Sequence, residues 1–185
     1  MRRFVLMSIL TLLFICASAP PLDKVTQDRK VKFVLAEIQR REYEKEFNRF
    51  LEHLRFKEGS NRWDIINTIG CMGYYQFHPN TLRTLGYGHI TPEAFRQNPN
   101  IFPEELQDKA IKMLIEFNEL ALSGCMAYVG KTIKGVEITK SGLIGAAHLA
   151  GSQGVKMFFQ HGYVAKDLNG TTVIDYLREF AGFEI

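Results

Sequence analysis

The sequence predicts a mainly α chain of the α+β class, a helical body with one small loop or hairpin element. Three observations carry that expectation. Apolar residues recur at helical spacing from Arg29 to Lys57. Proline- and threonine-led starts precede several later apolar-periodic stretches. Thr132 to Ile138 alternates about Gly135, as a short hairpin does.

The elements follow in order. Val31, Val34, Leu35, Ile38, Phe47, Leu51 and Leu54 mark the stripe of a long first helix, with charges between them. Gly59 offers its stop, so Glu58 falls at or just past the helix end. Residues 60–77 are rich in Gly, Asn and aromatics, lack a helical period, and read as a loop or small β region. Pro79 opens a short helix that Gly86 ends. Thr91-Pro92-Glu93 opens another, closed by Asn98-Pro99. Pro103-Glu104-Glu105 starts a longer helix, because acids complement the positive end of the helix dipole. Its buried stripe is expected at Leu106, Ala110, Met113, Leu114 and Phe117. After the hairpin, Thr139 caps a helix running to about Ala150. Gly151 and Gly154 interrupt the chain before a short helix through Phe158 and Phe159. Asn169-Gly170 marks a turn, and Thr171 or Thr172 caps a last helix carrying Val173, Tyr176, Leu177 and Phe180.

The first residues read as a targeting segment. Arg2 and Arg3 form a positive start, Phe4 to Ile15 is an apolar run, and Ala17-Ser18-Ala19 supplies the small residues of a cleavage site. The run is too short to span a bilayer, so a signal peptide over 1–19 is expected, with no integral membrane span in the mature form. Pro20 leaves the exact cut open, and an uncleaved anchor is the alternative. Cys16, with Leu13 three residues before it, also admits lipoprotein anchoring, against which stands the bulk of Ile15. Residues 20–29 read as a short tether, and 30–185 as one domain. The expected location is outside the cytoplasm, in a periplasm or cell envelope.

Composition excludes some classes. Apolar residues make up 46% of the 185 and charged residues 23%, an ordinary globular balance. Without Arg2 and Arg3 the 23 basic residues become 21 against 20 acidic ones, which is no electrostatic footprint for nucleic acid. Cys71 and Cys125 would be free to pair in an oxidising compartment, but two buried free thiols are the favoured reading. Neither has a His or Cys at metal-ligand spacing, so no metal site and no cofactor are expected.

Three segments remain: Lys57-Glu58-Gly59-Ser60-Asn61-Arg62-Trp63-Asp64-Ile65-Ile66-Asn67, Gly70-Cys71-Met72-Gly73-Tyr74-Tyr75-Gln76-Phe77, and Ser141-Gly142-Leu143-Ile144-Gly145-Ala146-Ala147-His148-Leu149-Ala150-Gly151. In this order they resemble the lytic transglycosylases and muramidases of the lysozyme-like superfamily, over a stretch from about Phe50 to the C-terminus. There a glutamate ends a helix in a Glu-Ser-Gly-type turn, a Gly-x-Met-Gly-x-x-Gln segment follows, and a later helix ends near Ala-Ala-Tyr-Asn-Ala-Gly. This chain departs from the pattern in Glu58-Gly59-Ser60, in Cys71, and in His148-Leu149-Ala150-Gly151, which leaves the role of His148 open. The resemblance implies a lysozyme-like fold with a helical lobe and a loop or β lobe, acting as a monomer on peptidoglycan glycan strands. It also implies that 30–185 is the catalytic domain and that Glu58 is the catalytic acid cleaving the MurNAc–GlcNAc bond.

The residues have their own logic. A glycosidic bond needs a protonated carboxyl beside its leaving oxygen, and partial desolvation keeps a carboxyl protonated. Trp63, Tyr74, Tyr75 and Phe77 are near enough in sequence to wall such a site, and Tyr74 and Tyr75 are candidates to stack on sugar rings. Gln76 matches the motif glutamine that points into the cleft, and it also suits a residue satisfying loop backbone. Asn67 stands where some muramidases place an aspartate, and His148 where an aromatic borders the glutamate. Asp64 is the nearest second acid and reads better as a loop cap than as a partner of Glu58. A single glutamate favours the transglycosylase route, in which the substrate's own N-acetyl and 6-hydroxyl groups replace a second carboxylate and water. The alternatives are a hydrolytic muramidase, a chitinase-like glycosidase, and a glycan-binding protein without turnover. A buried ion pair on Glu58 would favour the last.

Overall fold

The computed structural model describes residues 24–185, and the chain divides into two compact units, one up to Glu42 and one from Tyr43 to Ile185. The signal peptide expected over 1–19, with Cys16 in it, lies outside the described residues. The described chain is mainly helical, and among these residues no helix is long and apolar enough to cross a membrane.

Helix α1 runs Lys24–Gly59 and so contributes to both units. The helix begins at Lys24, ahead of the expected Arg29. The reason is local: no proline or glycine stands between Lys24 and Gly59, so nothing stops the helix from propagating. In the first unit Val31, Val34, Leu35 and Ile38 keep the expected spacing, yet all four are exposed. Glu37 is held down to about 2 by hydrogen bonds from Arg40 and Arg41, one turn on.

The second unit has its own core. There α1 buries Phe50, Leu51 and Leu54, and the loop after it buries Met72, Tyr75 and Phe77. Each large side chain so buried contributes about 1.5–3 kcal/mol. Helix α2 (Pro79–Thr84) is capped by the His78 side chain and α3 (Pro92–Gln97) by Thr91, both with proline in the first turn as expected. A 3-10 turn at Pro99–Ile101 leads to α4 (Glu104–Ala121).

The buried stripe of α4 departs from expectation. Gln107, Ala110, Ile111, Ile115 and Asn118 face inward, while Leu106 and Leu114 are only partly buried and Phe117 is exposed. The helix is rotated by about one residue relative to its apolar pattern because Gln107 is bonded inside the protein. Its Oε1 accepts from the Tyr74 amide, and its Nε2 donates to the carbonyls of Trp63 and Phe102. A buried glutamine that satisfies three backbone groups outweighs an apolar side chain at the same position.

A second 3-10 turn (Ser123–Tyr128) precedes the hairpin of β1 (Thr132–Ile133) and β2 (Val136–Glu137), paired Thr132 to Glu137 and Ile133 to Val136. Lys134 and Gly135 both take positive φ, the two-residue turn a tight hairpin needs. Helix α5 (Lys140–His161) starts at the expected Thr139 cap and kinks at Gly151, whose φ is 67° and ψ 162°. Helix α6 (Val173–Glu179) begins with a full capping box between Thr172 and Asp175. It packs on α5, with the Phe180 ring over Gly145. Cys71 and Cys125 are buried free thiols.

Candidate active site

Glu58 lies in the last turn of α1. Gly59 follows, but the left-handed residues that end the helix are Ser60 and Asn61, with φ of 48° and 57°. What needs glycine at 59 is close approach: a Cβ there would meet the Tyr74 carbonyl oxygen at 2.6 Å and that of Gly73 at 3.0 Å. The motif loop is thereby pressed against the residue beside Glu58. Bridges from Met72 to Ile66 and Phe77 fold that loop on itself. Gly73 takes φ +76° and lies over Gln107, so α4 anchors the loop from below.

These elements enclose a groove of about 1280 Å³ within the second unit. Glu58, Asn67, Gln76 and His148 all line it, so four of the six sequence-chosen residues share one surface. The Asn67 side chain accepts from the amides of Ile69 and Cys71, which fixes the loop. Gln76 has φ +46°, a conformation uncommon without glycine, and its Nε2 donates to the Gly73 carbonyl at 2.8 Å. It therefore satisfies loop backbone while it lines the groove.

Tyr74 and Tyr75 require correction as groove residues, because both are buried and neither lines it. The Tyr75 hydroxyl donates to Asp108 and accepts from Arg55, and the Tyr74 hydroxyl donates to Glu104. Burial and the Glu104 carboxylate push the Tyr74 phenol up to about 12. These tyrosines join α1 and the loop to α4, because a ring in the core places its hydroxyl where a polar partner waits. Trp63 packs against the core and is not among the groove residues. The exposed aromatic on the groove is Phe117, half open to solvent, which the sequence pattern had assigned to the interior.

Glu58 has a partner that the sequence reading did not name. The Tyr176 hydroxyl donates to Glu58 Oε1. Burial raises that phenol far above its ordinary range, and the adjacent Glu58 charge adds to the effect, so the hydroxyl keeps its proton and stays a donor. The Tyr176 ring stacks on Phe180, with centroids 5.3 Å apart. Tyr176 was legible only as one member of an apolar stripe 118 residues downstream.

His148 Nε2 lies 4.0 Å from Glu58 Oε1 and 2.8 Å from the Tyr75 carbonyl oxygen. A carbonyl only accepts, so Nε2 carries a proton and directs it at Tyr75 rather than Glu58. Nδ1 is buried without a hydrogen-bond partner among the described residues. Glu58, its side chain 17% exposed, accepts from the Tyr176 hydroxyl, with the His148 ring beside it. Asp64 is 44% exposed, bridges Arg62 and does not line the groove. A different carboxylate does: Asp167, in the turn before α6.

Comparison of the chain with known protein families, with curated proteins and with solved structures finds no match. The assignment of chemistry therefore rests on the groove.

The arrangement suits proton transfer to a ligand lying in an open trench. Glu58 presents a partly desolvated carboxyl with one oxygen fixed by Tyr176. Tyr176→Phe keeps the stacked ring and removes only that donor. A hydrogen bond to a charged group contributes about 1.5–3 kcal/mol, so a rate loss of roughly tenfold or more is expected. Under the glycan-cleaving activity that the motif resemblance implies, the check is the rate of glycan release beside a thermal melt. An unchanged rate would show that the bond plays no part in turnover.

Proposed function

We propose that this chain is an exported peptidoglycan lytic enzyme of lysozyme-like fold, cleaving the MurNAc–GlcNAc bond with Glu58 as the acid. The observation that carries the reading is Glu58 itself: partly buried, on an open groove, and bonded to a neutral hydroxyl. Asn67, Gln76 and Phe117 on the same groove supply polar contacts and one exposed ring for sugars. The motif resemblance adds the transglycosylase route. Glu58 protonates the glycosidic oxygen, then takes the proton of the 6-hydroxyl as that oxygen closes on the anomeric carbon.

The test is mass analysis of products from purified peptidoglycan treated with the protein. Anhydro-muropeptides are the expected products. Reducing ends would replace the transglycosylase route with hydrolysis. An absence of soluble products over hours would overturn the enzymatic reading and leave a glycan binder.

A further inference from the structure

We infer that Asp167 is a second working carboxylate of this groove, the fixed negative charge that steadies the cationic sugar formed when Glu58 gives up its proton. The inference rests on the reading of Glu58 as the acid.

Four structural observations support it. Asp167 lines the same groove as Glu58, Gln76 and His148. Its turn is closed on itself: Lys166 bridges to Thr172, and the Asp167 amide donates to the Thr171 carbonyl at 2.9 Å. Its Oδ1 accepts from the amides of Asn169 and Thr171, at 2.9 and 2.8 Å. Two backbone donors on one oxygen hold the carboxylate in place. No cation forms an ion pair with it among the described residues, so its charge is not spent on the protein.

The chemistry asks for such a group. The Glu58 proton moves to the glycosidic oxygen and the C1–O bond breaks. In substrate-assisted cleavage the acetamido carbonyl oxygen bonds C1, and positive charge settles on the acetamido nitrogen and its ring. The 6-hydroxyl oxygen then bonds C1, its proton returns to Glu58, and the acetamido group is released. Glu58 cannot neutralise the cation while it serves as acid and base in turn. A fixed anion aimed at developing charge lowers the barrier because it needs no reorganisation when the charge appears.

Asp167→Asn is the decisive variant. The amide oxygen of asparagine still accepts from Asn169 and Thr171, so a merely turn-forming role survives the change intact. The expected result is a roughly 100-fold loss in kcat on peptidoglycan with little change in KM, melting temperature or product identity. Asp167→Ala should lose at least as much, and formate should restore part of its rate where chloride at equal ionic strength does not. A folded Asp167→Asn within twofold of the wild-type rate overturns the inference, as does an Asp167→Ala protein that formate cannot rescue. If Glu58→Gln is inactive while Asp167→Asn is fully active, only Asp167 loses its role. If the wild-type protein releases no glycan, both readings fall together.

Discussion

Glu58→Gln is expected to lower glycan release by roughly two to four orders of magnitude, the range that one general acid supplies. Glutamine keeps the length and shape of the side chain. Its amide oxygen still accepts from the Tyr176 hydroxyl, so the contact with α6 persists. Its neighbours also keep their own bonds: His148 stays on the Tyr75 carbonyl and Gln76 on the Gly73 carbonyl. What disappears is the proton that must reach the leaving oxygen. The thermal melt should therefore match the wild type while soluble muropeptides fall to near background. A folded Glu58→Gln protein that digests purified peptidoglycan at a near-normal rate would sink the assigned site, and Asp167 with it.

The sequence made the local elements plain because each carried its own signal. Thr91-Pro92, Thr139 and Thr172 cap where expected, and the alternation about Gly135 is a hairpin. The placement of Glu58 at a helix end also follows from local pattern, since the apolar period ends at Leu54 and glycine follows the glutamate. Less legible was anything fixed by distant contacts. The rotation of α4 depends on three carbonyl and amide partners of Gln107, none of which its own helix reveals. Tyr74 and Tyr75 look like wall residues because they are aromatic and near Glu58 in sequence. Distant partners draw their hydroxyls elsewhere, that of Tyr75 to Arg55 and Asp108 and that of Tyr74 to Glu104. Tyr176 and Asp167 come from more than 100 residues beyond Glu58, and only the packing of α6 on α5 brings that region to the groove. In Asp167-Leu168-Asn169-Gly170-Thr171 the turn is readable, but the side of the protein it faces is not.

Gln107→Leu is the stability experiment with the largest expected effect. Leucine fills nearly the same volume, so little of the loss can be charged to a cavity. It offers nothing, however, to the Tyr74 amide or to the carbonyls of Trp63 and Phe102, all now bonded to one side chain. Gln107 itself is fully buried, so water cannot easily replace those bonds. An unsatisfied buried polar group costs about 1–3 kcal/mol, and three of them together bring the expected loss to about 3–5 kcal/mol. That is a large part of the stability of a domain this size. The same bonds fasten the loop from Trp63 to Tyr74, which holds Asn67 and leads into Gln76 on the groove. Glycan release should therefore fall even at temperatures where the variant remains folded, because the groove wall loosens before the core gives way. Urea unfolding followed by tryptophan fluorescence reads the stability, since Trp63 is the single tryptophan of the chain and its carbonyl is one of the two acceptors, and glycan release measured on the folded variant reads the groove. A Gln107→Leu protein within 1 kcal/mol of the wild type, on the order of a single ordinary hydrogen bond, would mean that the loop does not depend on α4.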